Sequence, residues 1–213
     1  MIVREGFRKM LELEGDFEIV GEAPDGRKAV ALAKKFHPDV VLMDIAMPQL
    51  NGLEATRQIL KAVPTIKVLM LSAHSDDAYV NNATESGAVG FLLKQTSAHK
   101  VCRAIREVQK GKTFFSSSIS RRQDRIHPLS PDREGGFSKK AVPLTSREME
   151  VLQLIAEGKA NKETASELSI GIKTVEKHRE HIMQKLDIHD TAGLTRYAIS
   201  AGVIENSVQL TIV

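Results

Sequence analysis

Three polar side chains stand at or near the ends of apolar runs that have the length of buried strands. Asp44 ends the run DVVLMD, Ser72 belongs to KVLMLSA, and Lys94 ends GFLLK. Such runs are typical of parallel strands buried on both faces, and doubly wound sheets place their sites at the carboxyl ends of the strands. A carboxylate at that edge can attack a phosphoryl group, while a hydroxyl and an ammonium group can hold its oxygens. The three residues together could form a phosphoryl-transfer site with Asp44 as the acceptor, although a strand-end Asp taken alone is usually a cap or turn residue.

A second group of side chains suits contact with DNA. Helical spacing from Ile172 to Leu186 places an apolar stripe on one face and long polar side chains on the opposite face. In the major groove lysine can pair with guanine acceptors and glutamate can accept from cytosine, and nearby polar side chains can bind phosphate oxygens. The predicted DNA contacts are Asn161, Lys162, Lys173, Thr174, Val175, Glu176, Lys177, Arg179 and Lys185. A mixed-charge helix that is merely solvated explains the same pattern.

The residues around this helix predict a helix-turn-helix arrangement. Thr145 and Glu148 have the spacing of a capping box, Gly158 ends the first helix, and Asn161 can cap the second. A short turn then leads into the third helix, for which Gly171 is a tolerable N-cap. When two helices are joined in this way, the second of them enters the major groove.

The elements that would position Asp44 alternate regularly between helix and strand. The predicted helices cover about 2–14, 76–86 and 98–110, with two more ending near Phe36 and Lys61, and the predicted strands are 17–23 (FEIVGEA), 39–44, 67–73 and 90–94. This alternation predicts an α/β doubly wound parallel sheet, followed by an all-α domain of four helices.

Composition narrows the class of protein. The lone Cys102 excludes an intramolecular disulfide, and no apolar run approaches the ~18 residues of a membrane span. No signal peptide is visible, so we expect a cytoplasmic protein. The net charge of +3 is not evidence for DNA binding, because residues 143–213 hold 8 basic and 10 acidic residues.

Residues 112–142 differ from both flanking regions. They hold 7 basic and 3 acidic residues among Ser, Pro and Gly, which predicts a flexible linker. Two interpretations of the charge stay open: it keeps the linker solvated, or it adds contacts to DNA phosphates.

The two halves of the chain resemble two known families. Residues 1–111 resemble the receiver domain of two-component response regulators through VREG, MDIAMP, NG, LSAH and FLLK. Residues 143–208 resemble the LuxR-type DNA-binding domain through LTSRE, LIAEG, NKE, KTVEKHR and RYAI. The resemblance implies a NarL/FixJ-type response regulator with a flavodoxin-like sheet of strand order 2-1-3-4-5.

The same resemblance implies several roles and partners. Phe91 would be an aromatic switch that acts with Ser72 and Lys94, and Mg²⁺ would assist phosphorylation. A sensor histidine kinase would be the phosphodonor, double-stranded DNA would be the target, and the helix at 191–201 would form a homodimer contact.

The sequence departs from the receiver pattern at its start. A receiver opens with a strand that ends in an acidic pair for Mg²⁺, whereas Met1 already adjoins the first predicted helix. Asp44 with the backbone carbonyl of Ala46 would be a poor metal site alone, because Mg²⁺ prefers near-octahedral oxygen coordination. Three explanations stay open: the natural start lies upstream, the receiver no longer responds to phosphate, or strand exchange between chains compensates.

Other kinds of site find less support. His178, His181 and His189 lack the Cys or carboxylate partners of a zinc site, and Asp44 lacks the second acid of an aspartate-nucleophile phosphatase, so we do not expect an enzyme. We therefore predict a DNA-binding transcriptional regulator that is switched by phosphorylation of Asp44. The alternatives are a phosphate-independent DNA binder with a degenerate receiver, and a protein-interaction module that does not bind DNA.

Overall fold

The computed structural model describes residues 2–115 and 144–204, and the chain divides into two compact units. We call the unit that contains the strands the sheet unit, and the other the helical unit. Residues 116–143, which include most of the predicted linker, and residues 205–213 lie outside the described part. Within the described ranges, no helix is long and apolar enough to cross a membrane.

The sheet unit alternates helices and parallel strands. The helices are α1 (Ile2–Glu12), α2 (Gly26–Phe36), α3 (Gly52–Ala62), α4 (Asp77–Glu85) and α5 (Ala98–Gln109). The strands are β1 (Val40–Asp44), β2 (Lys67–Ser72), β3 (Gly90–Leu93) and β4 (Phe114–Phe115). They pair in the order β1-β2-β3-β4, all parallel, which confirms the predicted α/β doubly wound class.

The sheet carries helices on both faces, as the continuous apolar sequences of its strands predicted. Leu69, Leu71 and Leu92 face the side on which α1 and α5 pack. Met70 faces the other side, where the hydroxyl of Thr56 in α3 donates a hydrogen bond to its sulfur. Because the strands are parallel, their carboxyl ends meet at one edge of the sheet.

The predicted strand FEIVGEA at 17–23 is wrong: the segment has no strand structure. Its residues line a cavity of about 550 Å³ together with β1, and no strand of the described chain pairs with that edge of β1. An extended segment becomes a strand only when a neighbouring strand takes up its backbone hydrogen bonds. The apolar pattern of this segment predicts an extended backbone, but it does not predict whether another strand lies beside it.

Ion pairs fix the position of this segment at both of its ends. The guanidinium of Arg106 in α5 lies 2.6 Å from the carboxylate of Glu14 and 2.7 Å from that of Asp16. In α1, Arg8 lies 3.0 Å from the carboxylate of Glu22. Exposed pairs such as these contribute little to stability one by one, but several together restrain the wall of the cavity.

The strand β4 lies beyond the predicted end of the sheet. Phe114 and Phe115 pair with Gly90 and Phe91 of β3, at positions that the sequence assigned to the linker 112–142. A run of two aromatic residues is too short to carry a periodic signal. Its pairing with β3 is a tertiary contact that the local sequence does not encode.

The helical unit consists of four helices in its described part. They are α6 (Ser146–Ala156), α7 (Asn161–Glu167), α8 (Ile172–Leu186) and α9 (Thr191–Ser200). All four contribute to one core, with Leu154, Ala165, Ile182 and Leu194 among its buried members. The predicted four-helix helix-turn-helix arrangement is confirmed.

The helix starts agree with the sequence in two cases and differ in one. Thr145 and Glu148 form the predicted capping box, each side chain accepting from the other residue's backbone N–H. Gly171 is the N-cap of α8, as predicted. Asn161 is not a cap but the first residue of α7, and Ala160 holds the N-cap position.

Candidate functional site

Asp44 is the last residue of β1, and its carboxylate is already paired. Its Oδ2 lies 2.8 Å from Nζ of Lys94, the residue that follows β3, and its Oδ1 accepts a 3.2 Å hydrogen bond from the N–H of Ala46. The Asp44 side chain is 33% exposed, so a phosphodonor can reach it. The structure therefore brings the predicted nucleophile and the predicted cationic clamp into direct contact.

A close backbone approach holds the loop after β1 beneath this site. The N–H of Gly52, at the start of α3, donates to the carbonyl of Ile45 at 2.8 Å. A Cβ atom on Gly52 would lie 1.9 Å from the carbonyl oxygen of Asp44, a distance too short for any side chain at this position. Glycine is required here because the helix start and the strand end share the same space.

Ser72 ends β2 beside Asp44 in the sheet. Its side chain is buried, its Oγ accepts from the N–H of His74 at 3.0 Å, and its carbonyl accepts from the N–H of Lys94 at 2.8 Å. A hydroxyl that accepts a hydrogen bond still carries its own proton, but the Ser72 side chain is fully buried, so its contact with a phosphoryl oxygen stays a prediction. Phe91 is fully buried in β3, and its role as a switch stays a prediction.

The oxygen ligands of the described residues do not fit a magnesium ion at Asp44. In these parts of the chain, no cluster of three or more His, Cys, Asp or Glu side chains is placed to hold a metal. The ammonium of Lys94 balances the one carboxylate present, and the carbonyl of Ala46 is the only other predicted ligand. A divalent cation with octahedral preference needs more negative oxygen than this pair leaves.

The candidate DNA interface is the outer face of α8. Lys173, Thr174, Glu176 and Lys177 are all exposed there. At the start of α7, Lys162 is exposed and Asn161 is half-buried, which leaves both able to contact phosphate.

The structure removes Val175 from the predicted interface. Its side chain is fully buried in the core of the helical unit, so it cannot meet a base edge. Helical spacing already placed it on the same stripe as Ile172 and Ile182, which is the signal that should have assigned it to the core.

Two of the predicted basic contacts have partners inside the helical unit. The guanidinium of Arg179 donates to Oγ of Thr191 at the start of α9 and, at 3.5 Å, to Oδ1 of Asn161. Nζ of Lys185 lies 2.6 Å from the carboxylate of Glu148 in α6. Both side chains therefore hold α8 against its neighbours, and their predicted contacts with DNA stay predictions.

Glu148, which pairs with Lys185 of α8, and His178 on α8 both have shifted pKa values. Burial opposes the charge of Glu148, but hydrogen bonds from Lys185 and from the N–H and hydroxyl of Thr145 outweigh it, so the pKa of Glu148 is lowered. Burial, with help from the nearby charge of Arg147, lowers the pKa of His178. At neutral pH, Glu148 is therefore ionised and His178 carries no charge.

Glu180 was absent from the predicted DNA contacts. It is exposed one helical turn after Glu176, and its carboxylate accepts a 3.3 Å hydrogen bond from Gln184. The i, i+4 spacing from Glu176 placed it on the same face, so the sequence held the signal.

Both halves of the chain match known families. Residues 1–106 match the response regulator receiver domain, and residues 142–198 match the bacterial regulatory proteins of the luxR family.

Relatives match along nearly the whole chain. The transcriptional regulatory protein LiaR of Bacillus subtilis is 41% identical over 200 residues, which are 92% of this chain and 92% of LiaR. The transcriptional regulatory protein DegU of Brevibacillus brevis is 35% identical, over 96% of this chain and 91% of DegU. A solved structure of two RcsB dimers bound to two parallel DNAs is similar with a TM-score of 0.55 at 29% identity, over 93% of each chain. The chain belongs to the family of two-component response regulators in which a receiver domain is joined to a LuxR-type helix-turn-helix DNA-binding domain.

Proposed function

We propose that this response regulator binds double-stranded DNA through the outer face of α8, and that a sensor histidine kinase controls it by phosphorylating Asp44. The 2.8 Å contact between Asp44 and Lys94, beside Ser72 at one edge of the sheet, carries the proposal. It joins a reachable carboxylate to a cation that can follow the charge onto a phosphoryl oxygen.

The chemical step is a phosphoryl transfer. A carboxylate oxygen of Asp44 forms a bond to phosphorus, the P–N bond of the kinase's phosphohistidine breaks, and the imidazole nitrogen keeps the electron pair. Lys94 would then bind a phosphoryl oxygen in place of Oδ2, and the Ser72 hydroxyl would donate to another. The product is an acyl phosphate that biases the receiver between two states.

A phosphate-independent DNA binder is the second candidate. The observation that favours it is that, among the described residues, no cluster of acidic side chains surrounds Asp44, whose carboxylate is balanced by Lys94. In that case DNA binding would be constitutive.

Intact mass spectrometry separates the two candidates. The chain is incubated with acetyl phosphate, with and without Mg²⁺, beside the Asp44→Asn variant. Addition of one phosphoryl group to the unsubstituted chain only, with tighter binding to its DNA site, supports phosphorylation at Asp44. No added mass, with unchanged DNA binding, supports the phosphate-independent function.

Further expectations belong to this proposal. RcsB dimers bound to DNA support a homodimer that reads two half-sites, with α9 as the predicted contact. The predicted cytoplasmic location and the absence of an enzymatic activity of its own stay predictions. A salt titration on an unrelated duplex tests DNA binding itself, because contacts to phosphates weaken steeply as salt rises.

A further inference from the structure

The turn between α7 and α8 is held from outside by a side chain of α6. One guanidinium nitrogen of Arg147 donates a 2.7 Å hydrogen bond to the backbone carbonyl of Leu168, the C-cap residue of α7. Another donates at 2.7 Å to the carboxylate of Glu150, one turn further along α6. A planar guanidinium can bind both acceptors at once, because its N–H groups point in fixed directions. Arg147 therefore ties the turn to α6.

The turn itself contains a strained residue. Ser169 follows Leu168 and has a φ of +52°, in the left-handed region that residues with a side chain rarely adopt. The N–H of Ile170 donates to the carbonyl of Ala165 at 3.0 Å and closes the end of α7 around it. Such a backbone conformation persists only where the surrounding contacts outweigh its cost. The hydrogen bond from Arg147 is one of these contacts.

The conformation of this turn determines where α8 begins. Only Ile170 and Gly171 separate Ser169 from Ile172, the first residue of α8. A change in the backbone at Ser169 therefore moves the start of α8 relative to α7. The exposed residues of the candidate DNA interface begin at Lys173, directly after this point.

We infer that Arg147 is a positioning residue for DNA binding, because its hydrogen bond to the Leu168 carbonyl fixes the turn and with it the direction of α8. The inference rests on the proposed binding of DNA through α8. A hydrogen bond from a charged donor is stronger than one between neutral groups, so a single contact can hold the strained turn. Arg147 acts through α8, and both of its acceptors belong to the helical unit.

Three substitutions in the full chain separate the bond to the turn from the ion pair. Arg147→Met keeps the apolar stem of the side chain and removes both contacts. Arg147→Lys keeps the charge but lacks the fork that reaches both acceptors, and it serves if the methionine variant does not fold. Glu150→Gln is the matched control, because it removes the ion pair and leaves the bond to Leu168. Thermal unfolding of each variant gives a temperature at which all of them are folded.

The first measurement is amide hydrogen exchange without DNA. We expect residues 168–172 to exchange about tenfold faster in Arg147→Met, since loss of a charged hydrogen bond changes a local opening equilibrium by at least that factor. Arg147→Lys should be intermediate, and Glu150→Gln should match the unsubstituted chain. Unchanged exchange in Arg147→Met overturns the inference.

The second measurement is the affinity for a duplex selected from a random library, at several salt concentrations. We expect about tenfold weaker binding by Arg147→Met, partial recovery in Arg147→Lys and little change in Glu150→Gln. The slope of log affinity against log salt should stay the same, because no contact to a phosphate is removed.

Three results overturn the inference while the proposed function stands. A slope that falls by about 0.9 in Arg147→Met means that Arg147 binds a phosphate directly. An equal loss in Glu150→Gln means that the ion pair is responsible. Faster exchange with unchanged affinity means that the turn does not control binding. If the unsubstituted chain binds no duplex, with and without acetyl phosphate, the proposed function falls and the inference falls with it.

Discussion

Replacing Lys185 by Met should destabilise the helical unit without removing a DNA contact. Lys185 lies 2.6 Å from the carboxylate of Glu148, whose side chain is only 4% exposed. The substitution leaves that carboxylate buried without its cation, and loss of one partner from a buried pair costs about 3–5 kcal/mol.

Two features of the site bring the expected cost below that range. Lys185 is itself 24% exposed, so water can replace part of its charge, and Glu148 keeps the hydrogen bond from the N–H of Thr145 at 2.8 Å. We therefore expect a loss of about 2–3 kcal/mol. Removal of both charges in Lys185→Met with Glu148→Gln should recover part of the loss, because the buried group is then neutral.

Amide hydrogen exchange read by mass spectrometry measures this loss in α6 and α8 separately from the sheet unit. The matched control is Lys177→Met, which removes a lysine from the outer face of the same helix. It should leave exchange within about 0.5 kcal/mol of the unsubstituted protein and weaken DNA binding. Unchanged exchange together with a tenfold loss of DNA affinity in Lys185→Met would refute the reasoning and return Lys185 to the interface.

Three further predictions concern backbone and pH. Gly171→Ser should raise the free energy of unfolding by a few tenths of a kcal/mol, because Gly171 has an ordinary φ of −72° and a serine there can cap α8. Gly158→Ser should lower the free energy of unfolding, because Gly158 has a φ of +85°, which strains any other residue. Urea denaturation of both variants measures the two effects. Gly52→Ala should destabilise the sheet unit and prevent phosphorylation of Asp44, because the added Cβ atom collides with the carbonyl oxygen of Asp44. Intact mass after acetyl phosphate treatment measures the phosphorylation. A stable variant that is still phosphorylated contradicts this prediction. Because the pKa of His178 is lowered in the folded protein, the unfolded chain protonates this imidazole at a higher pH than the folded chain does. The free energy of unfolding therefore falls as the pH drops below 6.5. His178→Gln should reduce the difference between the Tm values measured at about pH 5.5 and about pH 7.5.

The periodic part of the structure followed from the sequence. The apolar runs that end at Asp44 and Lys94 predicted parallel strands, and the strand ends predicted which polar groups would meet. The capping box of Thr145 and Glu148 placed the start of α6. These features depend on residues a few positions apart, so they can be identified without knowledge of the tertiary structure.

The remaining features depend on partners that are distant in sequence. Segment 17–23 has the composition of a strand but no strand beside it, and β4 is a strand only because β3 is next to it. Arg179 and Lys185 have the spacing of surface residues on α8, yet α9 and α6 hold them. Helical periodicity predicts the direction in which a side chain points, but it does not predict whether a carboxylate or a hydroxyl of another helix lies in that direction.

The exposure of a lysine–carboxylate pair decides whether it is structural or available for chemistry. The pair of Lys185 and Glu148 has a carboxylate that is 4% exposed and a lowered pKa, so any exchange of partners would leave a buried charge. Lys94 and Asp44 lie at a similar distance, 2.8 Å, but their side chains are 23% and 33% exposed. Water compensates both groups when they separate, so the ammonium can leave Oδ2 for a phosphoryl oxygen at small cost. The same kind of ion pair thus fixes α8 within the helical unit, whereas at the proposed phosphoacceptor Asp44 it remains open to exchange.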